Sequence, residues 1–99
     1  MPVSKTELFS ESELKIAIIG RALAHPARVR IFKLIQENGF VKNCDLISLL
    51  GLTKSSVFNH VVKLRDAGLV QIVYKPNHFQ ISLIKDGFGD IKSFVESID

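Results

Sequence analysis

Residues 52–70 read LTKSSVFNHVVKLRDAGLV and predict an amphipathic helix with a defined start and end. Thr53 suits the N-cap position, where a hydroxyl accepts a hydrogen bond from a free backbone N–H of the first turn. Gly68 suits the left-handed position that commonly follows the last turn. Between them the apolar residues recur every three or four positions, at Val57, Val61, Leu64 and Ala67. This spacing predicts one apolar stripe that packs on a core.

The opposite side of this helix is polar at its start and basic further along. It carries Lys54, Ser55, Ser56, Asn59, Lys63 and Arg65. Residue types of this kind contact base edges and phosphates in the grooves of DNA. The helix is therefore a candidate DNA-reading helix. The alternative is an ordinary amphipathic surface helix, and the neighbouring elements help to separate the two.

The first predicted helix covers residues 6–23. Leu14, Ile18 and Ala22 follow one another at intervals of four and form its apolar stripe. Gly20 lies inside this helix and costs about 1 kcal/mol relative to alanine. Such a cost is often accepted where another backbone comes close, so we expect a close approach at this position.

A second helix is predicted over residues 27–38. Pro26 suits its first position, and the residue before a proline disfavours the helical region, so the first helix ends there. Val29, Phe32 and Ile35 form its apolar face. Arg28 lies beside that face and is a candidate phosphate contact. The alternative is a core helix whose exterior is merely basic.

Residues 43–68 predict a helix-turn-helix. Asn43 is a suitable cap for a short third helix that ends at Gly51. The buried side of this third helix is predicted to comprise Leu46, Leu49 and Leu50. A turn of about three residues then leads into the candidate DNA-reading helix, an arrangement typical of this motif.

Residues 69–84 predict a β-hairpin, because the apolar residues now alternate with others. The alternating set is Val70, Ile72 and Tyr74, followed by Phe79, Ile81 and Leu83. Pro76 and Asn77 occupy the connection, where a turn favours them. A hairpin directly after a helix-turn-helix is the layout of a winged helix. Its tip would place Lys75 and His78 along the phosphate backbone or in a minor groove.

The two ends of the chain predict a subunit interface. A last short helix is predicted around residues 91–98, and a helix this short requires a packing partner. We expect residues 1–23 and 87–99 to form the dimer contact, with apolar contributions from Leu14, Ile18, Ile91, Phe94, Val95 and Ile98. A two-fold pair is the commonest oligomer and would pair two DNA-reading helices. The alternative is that both helices pack only on their own domain.

Length and composition favour a single domain, residues 1–99, in a reducing compartment. Cys44 is the one cysteine, so no intramolecular disulfide can form, and a cytoplasmic location is expected. No apolar run approaches the roughly 20 residues that span a membrane. Residues 21–85 hold ten Lys or Arg and three acidic residues, a net charge of +7, whereas the two flanks carry −4. A basic centre of this kind favours a polyanionic partner, here double-stranded DNA.

Residues 22–84 resemble the ArsR family of small winged-helix repressors. The segment ALAHPARVRIFKLI is similar to the family's L-x-x-P-x-R-x-x-I-L-x-x-L opening. The stretch 52–70 is similar to its L-S-x-S-x-V-S-x-H-L-x-x-L-x-x-A-G-L-V pattern. The matching residues are Leu52, Thr53 (for Ser), Ser55, Val57, His60, Leu64, Ala67, Gly68, Leu69 and Val70.

The resemblance implies a mainly α fold with a β-hairpin, in the order α-α-α-α-β-β-α, which dimerises through its terminal helices. It also implies that the following positions face DNA: Lys54, Ser55, Ser56, Phe58 and Asn59. Phe58 departs from the usual serine; it contacts a thymine methyl, or it indicates a different operator or another use of this face. The resemblance gives His60 a structural role, buried beside Val57 and Val61.

We predict no metal regulation and no cofactor. Metal-sensing family members carry a pair of cysteines where this chain has Lys42 and Cys44, and a lone thiolate cannot build a soft site of three or four ligands. The other family site uses histidines in the last helix, where this chain has none. Cys44 is predicted to be an inert, half-buried residue.

The leading hypothesis is a sequence-specific DNA-binding repressor that acts as a homodimer on an inverted repeat. One alternative is a winged-helix protein-interaction module with an apolar patch at Phe58 and Val62. Another is a redox-responsive repressor that uses Cys44. An enzyme is not expected, since the sequence has no catalytic set with recognisable spacing and no glycine-rich phosphate loop.

Overall fold

The computed structural model describes residues 8–98 and confirms the predicted α-α-α-α-β-β-α order. The helices are α1 (Glu11–Ala22), α2 (Pro26–Asn38), α3 (Asn43–Leu50), α4 (Lys54–Asp66) and α5 (Gly89–Glu96). The strands are β1 (Phe40–Lys42), β2 (Val70–Tyr74) and β3 (Phe79–Leu83), and a 3-10 turn (Lys85–Phe88) precedes α5. No helix within 8–98 combines the length and the apolar character that crossing a bilayer demands.

Helix α1 begins later than its apolar pattern predicts. Ser10 Oγ accepts a hydrogen bond from the Glu13 N–H at 3.1 Å, and the Glu13 carboxylate accepts one from the Ser10 N–H at 2.8 Å. This reciprocal pair is a capping box, which satisfies two free donors at the start of a helix. The helix therefore begins at Glu11 rather than Thr6, and the part of the prediction before residue 8 lies outside the described residues.

The sheet has three strands, with β3 in the centre. The predicted hairpin is present, and β2 pairs antiparallel with β3 so that Tyr74 lies opposite Phe79. Strand β1 pairs with the other edge of β3, where Val41 lies opposite Ile81. The sequence indicated only a short extended segment at Phe40–Val41. Its pairing with β3 joins the wing to the connection between α2 and α3.

Asn43 does not cap α3, contrary to the prediction. The N-cap position belongs to Lys42, and Asn43 is the buried first residue of the helix. Its Oδ1 accepts a hydrogen bond from the Phe79 backbone N–H at 2.9 Å. The pairing of β1 with β3 brings Asn43 to the start of β3, and the amide oxygen there satisfies a strand donor instead of a helix donor.

The core is formed by one face of each of the helices α1 to α4 and by the inner side of the sheet. Its fully buried side chains are Ile31, Ile35, Leu46, Val57, Val61, Leu64, Leu69, Val70 and Ile81. The predicted stripe of α4 is therefore confirmed at its three larger residues. The predictions for Val29 and Leu49 were wrong, because both are exposed. The side of α2 that faces the core is centred on Ile31 and Ile35 instead.

Gly87 is the position where two backbones meet. A Cβ at this residue would collide with the carbonyl oxygen of Gly68, so only glycine lets the 3-10 turn lie directly against the end of α4. The same turn brings Phe88 against Phe32, with ring centroids 5.0 Å apart. Gly20, where a close approach was expected, has no such neighbour: a Cβ there would meet nothing within 4 Å.

Candidate nucleic-acid interface

The first turn of α4 is fixed by the predicted N-cap. Thr53 Oγ1 accepts a hydrogen bond from the Ser56 N–H at 3.1 Å and donates one to the Ser56 hydroxyl at 2.9 Å. Ser56 is half-buried and engaged with the cap, whereas Lys54 and Ser55 are exposed beside it. The free N–H groups of such a helix start attract anions. Ser56 therefore holds the first turn in place, and its neighbours are the ones that face outward.

The outer side of α4 presents polar and basic side chains to solvent. Ser55, Asn59 and Lys63 are all exposed, and they lie opposite the buried stripe that Val57, Val61 and Leu64 form. An amide, a hydroxyl and a cation along one helix face suit the hydrogen-bonding edges of bases and the phosphates beside them. The structure thus brings these predicted site residues together on one continuous surface.

The wing turn places a cation at its tip. The Lys75 N–H donates to the His78 carbonyl at 2.8 Å and closes the turn, and the Lys75 side chain is exposed. His78 is half-buried, with its Nε2 3.4 Å from Nε2 of Gln80. The two residues predicted for the tip therefore differ: Lys75 extends into solvent, and the His78 ring lies along β3.

Phe58 lies between α4 and the wing. Its side chain is 42% exposed, and its ring lies edge-on to Phe79 with centroids 5.9 Å apart. The ring of Phe79 in turn packs beside that of Tyr74, with centroids 6.0 Å apart. A cleft lined by Thr53, Lys54, Ser55, Phe58 and Phe79 opens beside these rings. Tyr74 and Phe79 were predicted only as hairpin residues and not as part of this surface, although a hairpin register that places them opposite each other predicts a cross-strand contact.

Arg28 does not point outward as a phosphate contact would. Its guanidinium donates to the carbonyl oxygens of Arg21 and Ala22, at 3.5 and 3.2 Å, and its Nε donates to His60 Nδ1 at 3.3 Å. A cation beside the last carbonyls of a helix is favourable, since those groups carry partial negative charge. Arg28 therefore joins α1 to α2 and α4, and its contact with a phosphate stays a prediction.

His60 completes this junction. Its ring is half-buried rather than fully buried as predicted, and its centroid lies 4.5 Å from that of His25. The His25 Nδ1 accepts a hydrogen bond from the Ala27 N–H at 3.1 Å and caps α2. Burial, together with the nearby His25 and Arg28, lowers the pKa of His60 below its ordinary value of 6.5. These contacts support a structural role for the ring.

We expect folding stability to fall as the pH drops below about 6.5, in part because of His60. Because the pKa of His60 is lower in the folded chain, the unfolded chain takes up this proton first, and acid favours unfolding. The variant His60→Asn, whose amide oxygen can replace Nδ1 as the acceptor, should show a smaller loss. Urea titrations at several pH values measure this effect. An equal loss in both proteins would assign the pH dependence to other groups.

The two terminal helices leave apolar surface uncovered. Helices α1 and α5 contact each other, and Leu14 and Ile91 are partly buried. Phe94, Val95 and Ile98 are each more than half exposed, and Ile18 is close to half. Four of the six residues predicted for a dimer contact thus leave apolar surface exposed in a single chain. Patches of this kind mark interaction sites in soluble proteins.

Cys44 is exposed, contrary to the prediction that it is half-buried. It lies on the first turn of α3, a helix whose inward side is taken by Leu46. Across residues 8–98, the structure brings together no group of three His, Cys, Asp or Glu side chains that could hold a metal ion.

Comparison with known proteins identifies regulators of transcription. A family model described as bacterial regulatory protein, arsR family, matches residues 25–71, which include α2 to α4 and the start of β2. The HTH-type transcriptional regulator CmtR of Mycobacterium tuberculosis is 34% identical over 91 residues, which cover 88% of this chain and 76% of CmtR. These relatives regulate transcription and are not enzymes.

Solved structures of low sequence identity share the fold. An ArsR-like transcriptional regulator from a Rhodococcus species superposes with a TM-score of 0.74 at 17% identity, over 90% of this chain and 83% of that one. HlyU from Vibrio cholerae superposes with a TM-score of 0.73 at 21% identity, over 91% and 98% of the two chains.

Proposed function

The chain belongs to the ArsR family of DNA-binding transcriptional regulators, and on that premise we propose that it is a dimeric repressor in the cytoplasm that binds an inverted repeat. The observation that carries this proposal is the outer face of α4. It presents Ser55, Asn59 and Lys63 together, beside a wing whose tip carries Lys75.

The exposed side chains fall into two groups by their chemistry. Asn59 can donate and accept at once, which suits the paired donor and acceptor of adenine in the major groove. Ser55 lies one turn earlier on the same face and reaches either kind of base edge. Lys54, Lys63 and Lys75 carry point charges that suit phosphates. We propose that Asn59 and Ser55 read bases and that the three lysines bind the backbone.

We propose that the exposed apolar residues of α1 and α5 form one dimer face. A contact through Phe94, Val95 and Ile98 would remove these side chains from water, and burial of apolar surface drives association. A two-fold axis through this face would present two copies of α4. Their separation on DNA is then expected to be one helical turn, about 34–36 Å.

We propose that DNA binding by this chain is not regulated by a metal ion. Cys44 is the one thiol of the sequence, and a soft site takes three or four ligands.

Selection of binding sites from a random duplex library tests the proposed function. The purified protein is used at about 150 mM salt, near physiological ionic strength, in one series with a chelator and in a second with added Zn²⁺. An enriched inverted repeat in both series supports a dimeric, metal-independent regulator. Enrichment in only one of the two series contradicts metal independence, and no enrichment by the folded dimer favours the protein-interaction module.

Two single substitutions should separate base reading from backbone binding. Asn59→Ala should reduce the free energy of operator binding by about 1–3 kcal/mol at each half-site. It should also relax the preference for one base pair, since that pair loses the side chain that reads it. Lys75→Ala should weaken binding to all sequences alike and reduce the salt slope by about one for each wing. Competition titrations with the selected operator and its single-base variants measure both effects. If both proteins kept wild-type affinity and base preference, the DNA-binding face would lie elsewhere.

A further inference from the structure

We propose that Phe58 is a specificity-determining residue that contacts the C5-methyl group of one thymine in each half-site. This inference rests on the proposed function and adds to it an apolar contact with a defined chemical group. It starts from the one aromatic side chain of α4, which lies next to residues proposed to read bases.

The position of Phe58 allows this contact. It follows Ser55 by three residues and precedes Asn59 by one, so its ring borders the outer face of α4. Residues three or four apart are neighbours on a helix surface. Its side chain is 42% exposed, so part of the ring faces solvent while the rest packs against the protein. A groove that receives Ser55 and Asn59 therefore also meets the ring.

The wing holds the ring in place. Phe79 meets Phe58 edge-on at 5.9 Å, and Tyr74 supports Phe79 from the opposite strand at 6.0 Å. The backbone of Phe79 is itself fixed by its hydrogen bond to Asn43, at 2.9 Å. A side chain that is ordered before binding loses little conformational freedom on binding. The exposed edge of Phe58 is therefore a preformed apolar surface.

The chemistry of the major groove selects the partner of this surface. Base edges there carry hydrogen-bond donors and acceptors, and the thymine methyl is the one apolar group among them. A phenyl ring cannot replace the water that a donor or an acceptor loses on contact, so a polar base edge is disfavoured. Phosphates are excluded for the same reason, and the neighbouring Lys54 is better suited to them. The thymine methyl is therefore the group in the major groove that suits the exposed surface of Phe58.

Deoxyuridine substitution in the selected operator tests this inference directly. It removes one methyl group and leaves the base pair and its hydrogen bonds intact. We expect binding to weaken when one particular thymine in each half-site is replaced. Loss of both methyl groups should weaken binding by wild-type protein about 15-fold, from two burial contributions of about 0.8 kcal/mol each. Fluorescence anisotropy titrations measure the dissociation constants.

The variant Phe58→Ala should bind the thymine and the deoxyuridine operators equally, because its partner for the methyl group is gone. Phe58→Leu keeps an apolar side chain against the wing and should retain part of the discrimination. The matched control is Leu49→Ala, which removes an exposed apolar side chain from α3 and should keep the full 15-fold ratio.

The outcomes are distinct. If no deoxyuridine substitution weakens binding to the operator, Phe58 supports the wing and reads no methyl group. The same conclusion follows if Phe58→Ala distinguishes the thymine operator from the deoxyuridine operator as well as wild type does. The wild-type measurement alters only the DNA, so it does not depend on the folding of any variant. If the protein binds no operator at all, the proposed function fails, and this inference fails with it.

Discussion

Raising the salt concentration from 50 to 200 mM is expected to weaken operator binding by a factor of about 10³–10⁵. DNA holds a condensed layer of counterions, and each cationic side chain that neutralises a phosphate releases some of them. Added salt opposes this release. A dimer that contacts about 6–10 phosphates should therefore show a steep, linear fall of log affinity with log salt.

The structure supplies the cations for this effect. Lys54, Lys63 and Lys75 are exposed on α4 and at the wing tip, which gives a dimer six such charges, and the two α4 N-termini add backbone N–H donors. Each neutralised phosphate contributes about −0.9 to the slope of log affinity against log salt, so these six lysines alone account for a slope of roughly −5. Arg28 is not counted, since its guanidinium already binds the end of α1.

Anisotropy titrations of the selected operator at several salt concentrations measure the slope. The matched control is Lys92→Ala, which removes an exposed lysine from α5, outside α4 and the wing tip, and should leave the slope unchanged. A slope near zero with wild-type protein would contradict DNA binding through this face. An equal loss of slope in Lys92→Ala and Lys75→Ala would instead indicate unspecific charge attraction.

The substitution Leu64→Ala is expected to lower the free energy of unfolding by about 2–5 kcal/mol. Leu64 is 0% exposed and lies on the stripe of α4 that packs against the core. Its truncation removes buried apolar atoms and leaves a cavity that the surrounding side chains fill only in part. Since domains of this size are stable by about 5–15 kcal/mol, a loss of this size also endangers the placement of α4 for DNA.

Urea unfolding followed by circular dichroism measures this loss at one fixed protein concentration, because dimerisation would make stability concentration-dependent. Leu49→Ala is the control: it makes the same chemical change in a helix, but the side chain is 60% exposed. Leu49→Ala should change the free energy of unfolding by no more than about 0.5 kcal/mol. If the two variants lost stability equally, the predicted core face of α4 would be wrong.

Much of the fold and part of the candidate interface could be predicted from the sequence, because the relevant forces act between residues close in the chain. Thr53 bonds a backbone N–H within its own first turn, and Gly68 adopts the left-handed conformation that ends α4. The period-two pattern of the hairpin likewise specified β2 and β3. Exposure of Asn59 and Lys63 then followed from their places opposite the apolar stripe.

The tertiary structure alone decided what the remaining residues contact. Asn43 has the side chain of a helix cap but bonds Phe79, 36 residues away, because β1 brings it to the central strand. Arg28 resembles a phosphate ligand but binds the end of α1 and His60. Phe58 meets Phe79 only once the wing folds back beside α4. A polar or aromatic side chain satisfies whichever partner packing brings near, and for these three residues that partner comes from a distant part of the chain.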